Sequence, residues 1–497
     1  MKIQQFLEHY GVRKNPFSEE DAQSDHIFQN HCADTIYHPA WDKLLGDCAN
    51  PGTSIVFGEK GAGKTALRLQ LVKAINQYNS QHPDERVFII SYDDLNPFLD
   101  AFRDRLKGRR RDPERALQEW RLWDHMDALL TLSTRRLCAV IADDQEKDPD
   151  IQLQQLKSLP RLRKRDLLLL AAFYDQSSDQ SHWQRWKKMK FRLNFFSPTA
   201  SWRTITGWVV TAATLAFAFR NIGETGLSTF KVLGDWWLWV AIVAGWLPWL
   251  RHMSGLWWRA RQIAKQIRIL EHGTQTLRKM LAKFTTQEIG GQPMPSRDRS
   301  DDRYEMLSKL QRILKPLGFS SMVIIVDRVD EPHLINGSAE RMKEFLWSMF
   351  DNKFLKHPRI GFKMLLPSEV VPFLDREQKE FYERSRLDKQ NLIRSLEWTG
   401  ESLLDMATNR IRACLDDSAE SSVSVRNFFD DDVSEDHVIR NFAALRVPRH
   451  LFRFLYRLLT EHCNSATEDN PSWKISAAEF DRVLDVYQRE VAAMGTS

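Results

Sequence analysis

Gly58-Glu59-Lys60-Gly61-Ala62-Gly63-Lys64-Thr65 is the stretch on which the fold turns. Its glycines let the backbone curl until several N–H groups point inward at an anion. A helix opening at that point adds the positive end of its dipole. The pattern Gly-x4-Gly-Lys-[Ser/Thr] arises by chance in a chain of 497 residues with a probability of only a few per cent, taking glycine at about 7% of residues. The flanks agree with it. Ser54–Phe57 reads as a short buried strand and Thr65–Asn79 as a helix, with Leu67, Leu71 and Ile75 recurring every fourth residue on a core-facing stripe. The backbone of Gly58 through Ala66 is therefore expected to cradle phosphates. Lys64 should bridge the β- and γ-phosphates, and Thr65 should place its hydroxyl on Mg²⁺.

A second piece belongs opposite the first. Met322-Val323-Ile324-Ile325-Val326-Asp327-Arg328-Val329-Asp330-Glu331 is an apolar strand that ends in carboxylates. A Mg²⁺–water shell needs an acid emerging at the sheet edge, and Asp327 fits that place. Glu331 or Asp330, a few residues on, could polarise an attacking water. Arg328 stands where many related ATPases carry the catalytic glutamate directly after the aspartate, which leaves the base open between the two. Phe362–Ser368 is another strand, with Ser368 placed to sense a γ-phosphate or simply to end the strand. In Leu445-Arg446-Val447-Pro448-Arg449 an arginine opens a tail helix, where its guanidinium could reach phosphates or stay solvated. No Asn-Lys-x-Asp guanine-reading motif is present (Asn352-Lys353-Phe354-Leu355 lacks the acid), so ATP is the expected nucleotide.

The totals fit a soluble body with two to four domains: 28% charged residues, 42% hydrophobic, and a mean hydropathy of −0.46. A net charge of +5 is too small at this length to imply nucleic acid. Five scattered cysteines, in no Cys-x-x-Cys pair, read as reduced thiols without a disulfide frame or zinc site. The first residues lack the apolar run of a signal peptide. Along the chain, 1–95 reads as the first part of an ATPase core, with a helix around 40–48 and a strand at Val87–Ser91. A helical insertion follows over 96–300, ending in a long polar helix from about 256 to 284. The second part of the core, 301–397, holds a helix at Tyr304–Leu317, strands at Met322–Val326 and Ile360–Leu366, and a helix at Arg341–Phe350. A helical lid and tail, 398–497, includes an acidic loop over 416–436.

These motifs together resemble the additional-strand P-loop ATPases, nearest to the AAA+ and STAND-like group. Tyr10, Gly11, Asn15, Pro16 and Phe17 look like the segment that precedes the P-loop in ExeA- and Orc-like AAA+ ATPases, where it lies beside the adenine. The Asp327-x-x-Asp330-Glu331 strand end is similar to STAND proteins, and Arg446-x-Pro448-Arg449 to the second sensor of AAA+ lids. Membrane helices within the ATPase domain resemble the KAP NTPases, some of which act in exclusion of phage. Asp327-Arg328-Val329-Asp330-Glu331 departs from the usual KAP strand end, Asp-Asp-x-Asp-Arg.

The membrane reading rests on two acid-free apolar runs, Thr204–Phe219 and Trp236–Leu250. With their flanks they are expected to span a bilayer near 203–222 and 236–256. Eleven of the seventeen tryptophans fall between Trp183 and Trp258, as an interfacial belt would. Arg185, Lys187, Lys188, Lys190 and Arg192 precede the runs, and Arg259, Arg261, Lys265 and Arg268 follow them. The loop between holds Arg220 and Lys231 against Glu224 and Asp235. Both flanks should then be cytoplasmic, on the inner membrane of a multi-pass protein.

The expected fold class is α/β: a P-loop core with a parallel sheet, a helical insertion carrying a two-helix transmembrane hairpin, and a helical lid. The expected activity is Mg²⁺-dependent ATP hydrolysis by a membrane-anchored switch, with signalling or anti-phage defence implied by resemblance alone. A lipid bilayer, a homo-oligomer and a further protein are the expected partners. A DNA-binding ATPase of the Orc/ExeA sort and a nucleotide-binding scaffold without turnover are the alternatives.

Overall fold

Five apolar segments pair into one parallel sheet, and most of the remaining chain is helical. In this computed structural model the strands are β1 (Ser54–Gly58), β2 (Arg86–Tyr92), β3 (Phe319–Val326), β4 (Ile360–Pro367) and β5 (Asn391–Ile393), in the order β2-β3-β4-β1-β5. The structure describes every residue except 33–35, 144–147, 176–180, 198–201, 226–235, 417–422, 468–470 and 496–497. Every residue of β1 and β4 is buried, as a parallel sheet covered on both faces requires. Register aligns Val56 with Leu365 and Ile324 with Phe362.

The two faces are sorted by the strand period of two. Ile55, Phe57, Phe88, Ile90, Ile324 and Phe362 join the large core beneath the helices that separate β2 from β3. Val56, Val87, Val323, Ile325 and Leu365 face the other way, onto Leu67, Leu71 and Ile75 of the Lys64–Gln81 helix. The four expected strands are present, each slightly longer than the apolar run that announced it. A third core unites the C-terminal helices Gly400–Arg412, Glu435–Leu445, Pro448–Ser465 and Ala477–Gly495 with Phe6, Leu7, Val12 and Phe17 from the start of the chain.

Buried ion pairs hold the helices of the insertion together and tie them to the Asp301–Leu314 helix that follows. Arg303 pairs with Asp127 at 3.1 Å, both fully buried, while the Tyr174 hydroxyl donates to Asp127 at 2.8 Å. The partly exposed Arg268 pairs with the fully buried Asp124. The polar helix expected over 256–284 is built differently. Trp236–Gln266 is one continuous helix of 31 residues with Pro248 inside it, and Thr274–Leu281 is a separate short helix.

The Trp202–Thr225 and Trp236–Gln266 helices form a hairpin. Gly207 lies under the Trp246 ring and Gly245 against Val210, at distances that leave no space for a Cβ at Gly245. The Trp246 indole donates to the Thr211 hydroxyl at 3.0 Å. Among the described residues, however, no helix is long and apolar enough to cross a membrane. The expected transmembrane hairpin is therefore not supported. The charge-free runs cover only sixteen and fifteen residues, against roughly 20 needed to span. Thr204, Thr206, Thr211 and Thr214 dilute the first, while Pro248, Arg251 and His252 cut short the second. The loop expected on the far side, with Lys231 and Asp235, lies outside the described residues, as does 417–422 of the acidic loop.

Candidate functional site

The site begins where β1 runs out. Gly61 and Gly63 adopt φ of +94° and +92°, a region that favours glycine, and carry the chain round into the Lys64–Gln81 helix. Gly63 is the N-cap and makes no side-chain capping bond, so the first-turn N–H groups are not capped by it. Lys64 folds back over the turn, its ammonium donating to the carbonyls of Gly58 (2.7 Å) and Glu59 (3.0 Å). Burial lowers the Lys64 pKa, while Asp330, Glu369 and Asp327 act in the opposite direction.

Asp327 stands at the end of β3 with 2% of its surface exposed. Burial raises its carboxyl pKa, and the neighbouring Arg68 guanidinium opposes the rise. Arg68 lies one helical turn beyond Lys64, on the same side of the helix. Its Nε is 3.4 Å from Asp327, and the group also pairs with Asp93 just beyond β2. Oδ2 of Asp327 is buried without a hydrogen-bond partner. The next residue, Arg328, sits at φ +57°, uncommon for a residue with a side chain, and turns the chain sharply. Its guanidinium donates to Gln23 and lies 3.6 Å from Glu331.

A C-terminal helix closes over the glycine turn. The Arg449 N–H donates to the Gly61 carbonyl at 3.4 Å, and a Cβ on Gly61 would come within 2.7 Å of the Arg449 Cβ. The Trp398 indole donates to the Ala62 carbonyl at 3.0 Å, clamping the turn from the same side. From the start of the chain, Glu20 faces Arg449 at 3.9 Å and Arg453 at 2.7 Å.

Between these elements lies a cavity. Lys60, Gly61, Gly63, Lys64, Thr65 and Ala66 line it together with Asp327, Asp330, Glu331 and Arg449; Phe28, Ile36, Met406 and Phe452 provide an apolar side. Of the other residues singled out in the sequence, Gly58, Glu59 and Ala62 contribute backbone carbonyls to the turn. Ser368 follows β4, hydrogen-bonded to Glu369 at 3.4 Å and outside the cavity lining. Tyr10–Phe17 packs into the C-terminal core, where Arg410 donates to the Pro16 carbonyl at 2.7 Å; the segment after it lines the cavity instead. Arg68, Trp398 and Glu20 were not anticipated. Only Arg68 carried a signal, its four-residue spacing from Lys64.

Among the described residues, no group of three or more His, Cys, Asp or Glu side chains is arranged to hold a metal. A hard cation that keeps most of its waters needs fewer protein ligands. Asp327 Oδ2, which accepts no hydrogen bond and has only the Arg68 guanidinium 3.4 Å away, fits that demand together with Thr65, which lines the same cavity. Comparison with protein-family models, curated proteins and solved structures found no match.

Proposed function

We propose that the cavity binds ATP with Mg²⁺ and hydrolyses it, the chain acting as a nucleotide-dependent switch of the additional-strand P-loop class. The observation that carries this reading is convergence. A glycine turn with Lys64 and a strand end with Asp327, Asp330 and Glu331 come from distant parts of the sequence and line one cavity. The sheet supports it too, since β4 is inserted between β1 and β3.

Each side chain then has a physical task. The Lys64 ammonium would leave the Gly58 and Glu59 carbonyls and turn to β- and γ-phosphate oxygens. The turn's N–H groups and the helix N-terminus stabilise the same charge. Thr65 and Asp327 would hold the cation, whose chemistry is to neutralise charge developing on the phosphates. Asp330 or Glu331 would orient and deprotonate the attacking water. Phe28, Ile36, Met406 and Phe452 offer an apolar seat for adenine. Arg449, tied to Gly61, would register phosphate and close the C-terminal helices over it.

A second reading, nucleotide binding without turnover, is favoured by the contact between Arg328 and Glu331, which engages one of the two candidate bases. Steady-state phosphate release separates them. Measurable turnover, lowered about 100-fold or more in Glu331→Gln or Asp330→Asn, supports hydrolysis, since general-base catalysis contributes that much. ATP binding with no turnover above background supports the scaffold.

A further inference from the structure

Among the described residues, the hairpin carries most of the exposed apolar surface. Fourteen of the twenty large hydrophobic side chains exposed among those residues lie between Trp202 and Trp258. They are ordered. Trp236, Trp239, Val240, Val243, Leu247 and Leu250 recur at helical spacing along one stripe, while Gly245 and Trp246 meet the other helix. In the first helix Trp202, Ile205, Val209 and Phe219 form a comparable outer row. The hairpin buries little of its own: Ala218 and Leu238 make up a separate two-residue cluster. Farther along the second helix, Leu256, Ala260 and Ile263 enter the main core, so the exposed rows project from a firmly anchored base.

Charge identifies the occupant. Residues 182–220 and 236–268 contain twelve lysines and arginines and no aspartate or glutamate. Arg251, Arg259 and Arg261 are exposed beside the apolar stripe; Arg203 lies over Trp202 and Arg261 over Trp257. An exposed surface that joins tryptophan and aliphatic rows to an acid-free basic collar matches the region between headgroups and acyl chains of an anionic bilayer. We propose that this hairpin docks on an anionic lipid surface and dips into its interfacial layer without crossing it. The proposal is independent of the nucleotide reading. A second copy of the chain would bring the same cationic collar against itself, which disfavours that occupant.

The test is sedimentation of the full chain with vesicles of phosphatidylcholine alone and of equal parts phosphatidylcholine and phosphatidylglycerol. Binding to the anionic vesicles should be about tenfold tighter or more, since each basic residue near the surface contributes about 1 kcal/mol. It should weaken in salt and be released by alkaline carbonate. Ile205→Ser/Val243→Ser/Leu247→Ser should lose it, as should Arg251→Glu/Arg259→Glu, with thermal unfolding by circular dichroism checking that both variants remain folded. Equal affinity for both vesicles, no binding, or undiminished binding by the folded triple variant would overturn the proposal. So would carbonate-resistant insertion, or a dimer that the triple variant dissociates in the absence of lipid.

Discussion

Arg68 holds its guanidinium 3.4 Å from the carboxylate of Asp327, at the place where the proposed cation would be bound. The two are 10% and 2% exposed. Without the cation, Arg68 supplies the positive charge that a buried carboxylate requires. Arg68→Ala should therefore destabilise the apo protein by about 3 kcal/mol, because it leaves a buried charge unpaired. Added Mg²⁺ and ATP should recover a larger share of stability in this variant than in the parent. Chemical denaturation with and without Mg²⁺ measures it; a variant as stable as the parent would remove Arg68 from this role.

Asp327→Asn tests the cation side of the same pair. Turnover should fall by about two orders of magnitude or more, as when a preorganised electrostatic contact at the transferring phosphoryl group is lost. Nucleotide binding without Mg²⁺ should persist, and titration calorimetry at two Mg²⁺ concentrations separates the effects.

The contact between Gly61 and Arg449 couples the glycine turn to the C-terminal helices. Gly61→Ala meets two obstacles: a φ of +94° and a Cβ placed 2.7 Å from that of Arg449. The left-handed conformation alone costs roughly 1–2 kcal/mol. The variant should lower ATP affinity and raise the proteolytic sensitivity of the C-terminal helices. Wild-type values for both would show that the turn and Arg449 are not coupled.

Trp398→Phe keeps most of the ring and removes one hydrogen bond to the Ala62 carbonyl. A loss of about 1 kcal/mol in stability is expected. ATP should restore part of it, read as a larger ligand-induced rise in Tm than the parent shows.

His125 links the sheet to the insertion, with Tyr92 Oη at 3.1 Å and the Phe345 carbonyl at 3.0 Å. The neutral ring satisfies both, accepting at Nδ1 and donating at Nε2. Burial pushes its pKa down from 6.5 to about 3. The unfolded chain then binds a proton that the folded chain refuses, so stability falls as pH drops from 6.5 towards 3 and does not change through this group above 6.5. His272, also pushed down to about 3 by burial, acts in the same direction. His125→Gln should flatten part of the acid limb of a Tm–pH profile while lowering its plateau. An unchanged slope would contradict the assignment.

The strands that position the site were legible because parallel strands buried on both faces carry unbroken apolar runs, as in Ile55–Phe57 of β1 and Met322–Val326 of β3. β5 was not legible: three residues, Asn391–Ile393, all half-buried, carry no pattern. The glycine turn and Asp327 stood out because their chemistry depends on local spacing. Trp398 and Glu20 reach the turn only through tertiary packing, and no local spacing announces that. In the hairpin, the apolar runs were visible, but their threonines, Pro248 and bordering arginines weigh against spanning. The change from apolar to polar composition near 256 also concealed that Trp236–Gln266 is a single helix.

The central claim is that this cavity holds a nucleoside triphosphate through Lys64. Calorimetric titration of ATP into the full chain, with Lys64→Ala beside it, tests this most directly. A saturable site that weakens by about 10- to 100-fold in the variant is the expected result, given about 1.5–3 kcal/mol for a hydrogen bond to a charged group. No binding by the parent, or equal affinity in both proteins, would contradict the claim.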